Sequence, residues 1–113
     1  MLKKIISGIY KIINKINQKY YVGSSQNILT GSGRFSAHKS SLRSNSHVNC
    51  HLQAAWNKYG EENFEFLIIE SGIMQKDLLT VEQTYLDIAK KEREKTYNLV
   101  FTAHAGPRGV NST

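Results

Sequence analysis

The chain has 113 residues, which is enough for one small domain and too few for two comfortable ones. It is 40% hydrophobic with a net charge of +6, which argues against wholesale disorder and favours an anionic partner, nucleic acid ahead of an acidic membrane. The single cysteine, Cys50, excludes an intramolecular disulfide, and no apolar run approaches the ~18 residues of a transmembrane helix, so we expect a soluble, intracellular protein.

The first predicted elements are two strands joined by a short polar connection. Residues 5–14 are rich in β-branched and aromatic types, and residues 20–24 form a second such run. The connection between them contains Asn14 and Asn17, which favours a hairpin. If the turn centres on Ile16 and Asn17, Tyr10 lies opposite Gly23 and Ile12 lies opposite Tyr21.

Two tyrosines and two glycines then share one face of this hairpin. The period of two along a strand places Gly8, Tyr10, Tyr21 and Gly23 on the same side. Phenols beside glycines predict open space above the sheet, where a bulky ligand would approach. The alternative is that both tyrosines simply pack in a core.

A loop over residues 26–33, which contains Gly31 and Gly33, precedes a helix predicted from Arg34 to about Leu42. Arg34 and His38 are four residues apart and therefore share one face of this helix. A guanidinium fork and an imidazole in this arrangement are suited to gripping a phosphate. Two solvated polar residues are the alternative interpretation.

A second helix is predicted to begin after Ser46 as its N-cap and to end at Gly60. Steps of three and four residues place its apolar positions on one face. These positions are Val48, Leu52, Ala55, Trp56 and Tyr59.

The last third of the chain predicts a strand, a helix and a short final element. Residues 63–70 form the strand, and the run from Phe66 to Ile69 is apolar on both faces, which suggests a central position in the sheet. The helix covers Gln75 to about Lys91, and the short element covers residues 96–100. Residues 105–113 contain two glycines and the only proline, which predicts a mobile tail. The order β-β-α-α-β-α indicates a mixed α/β domain with a small sheet.

Glu82 breaks the pattern of this last helix. It lies four residues from Leu78 and from Leu86, in the middle of the face that should be buried. A lone buried carboxylate is costly unless it is paired or binds a metal ion. A structural ion pair or a carboxylate at the edge of the apolar stripe is therefore one interpretation, and a metal ligand is the other.

The ordered set of these residues resembles the GIY-YIG nuclease family. Gly8-Ile9-Tyr10 and, ten residues later, Tyr21-Val22-Gly23 resemble its two defining triplets, with valine in place of isoleucine. Arg34 and His38 are similar to its Arg-x-x-x-His helix, Glu82 to its metal-binding glutamate and Asn98 to its late asparagine. The segment from Asn49 to Gly60 also resembles the homing-endonuclease branch found in introns. The resemblance covers roughly residues 7–100.

The resemblance implies a fold, a reaction and a metal ion. The implied α+β fold has a central three-stranded antiparallel sheet flanked by helices. The implied reaction is hydrolysis of DNA phosphodiester bonds with Mg²⁺ or Mn²⁺ held by Glu82, Arg34 on the phosphate and Tyr10 orienting or deprotonating water. Tyr21 would position the water or phosphate, His38 would assist the proton transfer, and Asn98 would orient Glu82 or nearby backbone. We expect the substrate to lie against Gly8, Gly23, Ser24, Arg34 and Lys39.

Residues 1–100 are predicted to form the catalytic domain and residues 101–113 a tail or the start of a linker. The predicted partner is DNA, with no membrane and no small-molecule cofactor, and with a further DNA-binding module or a second protomer to assist. An AT-rich source such as a phage or a mitochondrion would fit the abundance of Lys, Asn and Ile.

Two alternatives stay open from the sequence. A non-catalytic nucleic-acid-binding domain would explain the basic charge equally well, although not the carboxylate of Glu82 within an apolar stripe. His47, Cys50 and His51 form a small cluster that suggests zinc, but structural zinc sites draw four N/S ligands, so solvated residues at a helix start are the preferred interpretation.

Overall fold

The computed structural model describes residues 6–29 and 33–103. The strands are β1 (Gly8–Asn14), β2 (Tyr20–Ser25) and β3 (Phe64–Ser71), and the helices are α1 (Arg34–Arg43), α2 (Cys50–Tyr59) and α3 (Gln75–Lys91). Short 3₁₀ turns at Glu61–Asn63 and Arg93–Lys95 follow α2 and α3. The predicted order β-β-α-α-β-α is confirmed. The predicted tail from residue 105 to residue 113 lies outside the described residues.

The hairpin of β1 and β2 has the predicted register. Tyr10 pairs with Gly23 and Ile12 pairs with Tyr21 in an antiparallel ladder. The turn is fixed by the side chain of Asn14, which accepts a hydrogen bond of 2.9 Å from the backbone N–H of Ile16. Gln18 adopts a positive φ of 66°, which closes the turn. Because the register is fixed, the faces on which the two tyrosines lie are fixed as well.

The strand order is β2-β1-β3, so the prediction that the third strand is central was wrong. β3 returns antiparallel to β1 and forms an edge of the sheet. Its apolar run is only partly buried, and Ile69 is 39% exposed, so the run does not mark a strand that is covered on both faces. Phe66 and Ile68 pack on the side of α1 and α2, while the opposite face of the hairpin packs on α3.

The sheet therefore separates two hydrophobic layers. On one side, Tyr10, Ile12 and Tyr21 pack against Leu42 of α1 and Leu52 of α2. On the other side, residues of β1 and β2 pack against α3; they are Ile9, Tyr20 and Val22, with Leu78, Leu86 and Ala89 from the helix. These three layers form an α+β domain with a three-stranded antiparallel sheet, as expected.

The start of α2 differs from the prediction. Asn49, rather than Ser46, is the N-cap, and its side chain accepts a hydrogen bond from the backbone N–H of Leu52. Asn49 is fully buried and its amide also donates to the carbonyl of Tyr97, so tertiary contacts select this cap. Val48 consequently lies outside the helix and is 61% exposed.

The segment after α3 lies along the free edge of β2. Thr96 forms one isolated parallel bridge with Tyr20, and the backbone N–H of Tyr97 donates to the carbonyl of Tyr20 at 2.7 Å. Thr96, Tyr97 and Asn98 are buried. The predicted short final element is therefore an extended segment that covers an edge strand, which protects the edge from pairing with other chains.

Candidate active site

Two tyrosines and one histidine form the buried part of the candidate site. Tyr10 and Tyr21 project from the hairpin toward α1, and neither has exposed surface. His38 of α1 meets them there, with its Nε2 2.6 Å from the Oη of Tyr10 and its ring centroid 5.3 Å from that of Tyr21. Burial raises the pKa of Tyr21 well above its usual range. The structure therefore brings the two hairpin tyrosines together with His38 of α1.

Arg34 brings a positive charge to the same place. It begins α1, one turn before His38, and its side chain is half-buried. Burial raises the pKa of Tyr21 and Glu82 and lowers the pKa of His38; the charge of Arg34 opposes the first two shifts and adds to the third. These interactions show that one guanidinium acts on residues of β2, α1 and α3 together.

Glu82 reaches the site from α3 and has no exposed surface. Its Oε1 accepts a hydrogen bond of 2.6 Å from the hydroxyl of Ser24, at the end of β2. Its Oε2 is buried and has no hydrogen-bond partner within the described residues. Within the described residues, the Glu82 carboxylate therefore has no cationic side chain bonded to it, as an ion pair would require. Its Oε2 is instead available to bind a cation.

The carboxyl of Glu82 makes the stability of the metal-free protein depend on pH. Burial raises the pKa of Glu82 from 4.5 to about 7, against the opposing effects of the Ser24 hydroxyl and the Arg34 charge. Because the folded protein holds this proton more tightly than the unfolded chain does, the favourable contribution is complete below pH 4.5 and is lost as the pH rises through about 7.

We therefore expect Glu82→Gln, which does not titrate, to be more stable than the wild type by about 3 kcal/mol above pH 7 and equally stable below pH 4.5. The measurement is urea unfolding in EDTA at several pH values, followed by the fluorescence of Trp56, the only tryptophan. The difference in the free energy of unfolding between the two proteins removes the contribution of the titratable groups that they share. A difference that stays constant with pH would contradict the assignment of the raised pKa to Glu82.

Gly8 and Gly23 do not create open space for a ligand, so this part of the prediction was wrong. A Cβ on Gly23 would lie 2.6 Å from the Oη of Tyr10, and a Cβ on Gly8 would lie 1.9 Å from the backbone oxygen of Glu70. The room above each glycine is taken by the chain itself. Gly23 is needed because the ring of Tyr10 crosses it, and Gly8 is needed because β3 passes close to β1 at this point.

Three other predicted residues have contacts that redefine their roles. Ser24 donates to Glu82. The ammonium of Lys39 lies 4.9 Å from the ring centroid of Phe66, on the half-buried rim of α1. Asn98 was predicted to orient Glu82 or nearby backbone; its amide bonds to the backbone N–H and C=O of Val22, each at 2.9 Å, which agrees with the second alternative rather than the first. Asn98 therefore anchors the edge of β2, which carries Tyr21.

Sequence reasoning missed His47 as a member of the site. It is half-buried, and its ring stacks on that of His38 with centroids 5.0 Å apart. The Nε2 of His47 lies 2.7 Å from the Nδ1 of His38. The spacing of nine residues crosses the end of α1 and the following loop, so no helical or strand periodicity connects the two histidines.

The donor set suits a hard cation better than zinc. Residues 6–29 and 33–103 contain no group of three or more His, Cys, Asp or Glu side chains that would hold a metal ion. Mg²⁺ keeps several waters and needs only one or two carboxylates together with substrate phosphates, whereas structural zinc needs four N/S ligands. The buried free oxygen of Glu82 fits the first pattern.

None of the helices in the described part of the chain is long and apolar enough to cross a membrane.

Residues 6–98 match the model of the GIY-YIG catalytic domain. The chain is 32% identical over 93 residues to Intron-associated endonuclease 1 of Enterobacteria phage T4, covering 82% of this chain and 36% of that protein. It is 29% identical over 112 residues to the "Probable intron-encoded endonuclease 1" of Neurospora crassa, covering 94% of this chain and 34% of that protein.

Among solved structures, the chain is similar to a mutant form of the catalytic domain of intron endonuclease I-TevI. The TM-score is 0.74 at 28% sequence identity, and the match covers 89% of this chain and all of that domain. The chain spans about a third of the length of the two intron-encoded relatives, so it corresponds to one part of proteins of that kind.

Proposed function

This chain belongs to the GIY-YIG catalytic domain family, and on that premise we propose that it is a metal-dependent endonuclease that hydrolyses phosphodiester bonds in DNA. One observation carries the proposal. The carboxylate of Glu82 is fully buried, one of its oxygens is left without a hydrogen bond, and the charge of Arg34 acts on it. A cation and a phosphate are the groups that such a pair of side chains would hold together.

Each predicted catalytic side chain has a part in this proposal. Glu82 holds Mg²⁺ or Mn²⁺, which when bound stabilises negative charge on the phosphate and makes water a better nucleophile. Arg34 holds the non-bridging oxygens of the phosphate through its guanidinium fork. Tyr10, as a phenolate whose own proton has gone to solvent, accepts the proton of the attacking water with the help of His38 at its Oη, and Tyr21 positions that water or the phosphate. Lys39 contributes charge along the DNA backbone.

The remaining residues act through these groups. Ser24 directs one oxygen of Glu82 away from the cation by donating to it, which leaves the other oxygen available. Asn98 holds β2 in place through the backbone of Val22. Gly8 and Gly23 permit the close packing on which the position of Tyr10 depends. These two glycines therefore act through packing and not by contact with the substrate.

The relatives suggest the setting in which this domain works. Both sequence relatives are named as intron endonucleases, one from a phage and one from a fungus, which supports a homing-type enzyme of a mobile intron in a phage or an organelle. We propose that residues 1–100 are its catalytic domain and that residues 101–113 begin a linker. A further DNA-binding module or a second protomer would then supply the affinity or the second cut.

A non-catalytic DNA-binding domain is the second candidate function. The net charge of +6 favours it as much as it favours a nuclease. Such a domain gains nothing from Glu82, because a carboxylate beside the phosphate repels DNA when no cation is bound. The experiment that tests the nuclease therefore has to separate binding from cleavage.

We expect the protein to nick supercoiled plasmid in Mg²⁺ and to leave it intact in EDTA. The same assay is run with the chain fused to a sequence-specific DNA-binding module, because tethering raises the effective concentration of the site to about the millimolar range. Mg²⁺-dependent nicks near the tethering site support the proposal. Plasmid that is bound, tethered and uncut in both Mg²⁺ and Mn²⁺ would overturn it in favour of the binding domain.

A further inference from the structure

A chain of hydrogen bonds runs from the backbone before α2 to the phenol of Tyr10. The backbone N–H of Asn49 donates to the Nδ1 of His47 at 3.0 Å. The Nε2 of His47 lies 2.7 Å from the Nδ1 of His38, and the Nε2 of His38 lies 2.6 Å from the Oη of Tyr10. Each ring nitrogen of both histidines therefore has one partner in this series of hydrogen bonds.

The first hydrogen bond, from Asn49 to His47, fixes which atom is the donor in each of the others. A backbone N–H can only donate, so the Nδ1 of His47 is an acceptor and carries no proton. A neutral imidazole carries one proton, which for His47 must then be on Nε2. That proton points at the Nδ1 of His38, so Nδ1 of His38 is an acceptor in turn. The proton of His38 is consequently on Nε2, facing the oxygen of Tyr10.

Both rings meet the condition of neutrality on which this deduction depends. Burial is the largest cause that lowers the pKa of His38 well below 6.5, and the charge that His47 would carry if protonated and the charge of Arg34 lower it further. Burial also lowers the pKa of His47. At neutral pH each ring therefore has a single N–H, and the chain of donors has one consistent arrangement.

We propose that His47 is a positioning residue that, held by the backbone N–H of Asn49, fixes His38 in the Nε2–H tautomer so that His38 donates a hydrogen bond to Tyr10. The consequence for catalysis rests on the proposed nuclease function. A donor aimed at the Oη of Tyr10 stabilises the phenolate and disfavours transfer of the phenolic proton to His38. Tyr10, which releases its phenolic proton to solvent, is then the base toward water, while His38 and His47 keep their protons throughout.

The test is a measurement of the tautomers rather than of activity. In ¹⁵N-labelled protein, long-range ¹H–¹⁵N correlation spectra distinguish a protonated ring nitrogen from an unprotonated one, and His38→Gln identifies the signals of His38. We expect an Nε2–H form for His38 and for His47 in the wild type without metal or DNA. An Nδ1–H form of His38 in the wild type would overturn the proposal.

Two substitutions at residue 47 test whether this residue sets the tautomer. His47→Gln keeps a donor near the position of Nε2, so His38 should remain in the Nε2–H form. His47→Glu offers only acceptors, so His38 should switch to the Nδ1–H form and lose its donor toward Tyr10. His51→Gln, at an exposed histidine on α2, is the matched control and should leave the His38 signals unchanged. An unchanged Nε2–H form in folded His47→Glu would overturn the assignment of this role to His47.

Cleavage rates of the same variants connect the tautomer to the reaction. A wrongly oriented imidazole lowers kcat by as much as about 10,000-fold in serine proteases, and we expect a loss of at least about 10-fold in His47→Glu that His47→Gln largely avoids. If the tautomers switch as expected but the wild type cuts no DNA, the nuclease proposal fails and the tautomer assignment stands. If the wild type cuts DNA and His38 carries its proton on Nδ1, the tautomer assignment fails and the nuclease proposal stands.

Discussion

Replacement of Glu82 by Gln is expected to lower the rate of DNA cleavage by about 1,000-fold or more while leaving the fold intact. A bound metal ion contributes several kcal/mol of charge stabilisation to the transition state, and about 4 kcal/mol corresponds to this factor. The amide of Gln is nearly isosteric and still accepts the hydrogen bond from Ser24, but it is a neutral and much weaker ligand for Mg²⁺. The substitution therefore removes the interaction with the cation and keeps the hydrogen bond from Ser24.

The measurement combines single-turnover cleavage with titration of Mn²⁺ followed by its EPR signal, which requires no activity. Asp87→Asn is the matched control, because Asp87 is an exposed carboxylate on the same helix and hydrogen-bonds to Gln83. We expect Asp87→Asn to bind Mn²⁺ and cut DNA as the wild type does. A folded Glu82→Gln protein that retains Mn²⁺ binding and cleavage would show that the metal ion is held elsewhere.

The periodic parts of the sequence predicted the fold well for a simple physical reason. The alternation of side chains in β1 and β2, together with Asn14 and Asn17 in the connection, determined the register that places Tyr10 opposite Gly23. The three-and-four spacing around Glu82 likewise predicted that this carboxylate is buried. In both cases the local geometry of one element decides which way a side chain points.

Predictions that depended on neighbouring elements were less successful. The apolar run of β3 suggested a strand covered on both faces, but β3 is an edge strand and Ile69 is 39% exposed, so the run carried no information on which strand is central. Ser46 and Asn49 are equally good N-caps by residue type, and only the contact of Asn49 with Tyr97 selects between them. Such choices are made by tertiary contacts, which a single element does not encode.

The candidate site also combines residues that local periodicity predicts with residues that only tertiary contacts place. The spacing of Arg34 and His38 within one helix predicted their common face, and the structure brings them to Tyr21 and to each other. Asn98 acts on the backbone of Val22, 76 residues away in the chain, and His47 acts on the ring of His38 across the end of α1 and the following loop. No periodicity links these partners, so their contacts emerge only when the sheet and helices are assembled.

Replacement of Tyr10 by Phe is expected to lower the rate of cleavage by about 100- to 10,000-fold, the range found for removal of a general base. The substitution removes only the Oη, so the ring keeps its edge contact with Phe35 and its place over Gly23. DNA binding should persist, because the Arg34 charge and the basic surface are unchanged. The loss should therefore lie in kcat rather than in KM.

Tyr21→Phe provides the comparison that identifies the base. The Oη of Tyr21 is buried and has no hydrogen-bond partner within the described residues, so its removal should leave the free energy of unfolding unchanged or raise it by about 1 kcal/mol. Tyr10→Phe instead leaves the Nε2–H of His38 without its acceptor, which should cost about 1–3 kcal/mol of stability. Rates are compared well below both melting temperatures to separate this cost from catalysis. If Tyr21→Phe loses as much kcat as Tyr10→Phe or more, Tyr21 rather than Tyr10 takes the proton from water, and the hydrogen bond from His38 serves to hold Tyr10 in place.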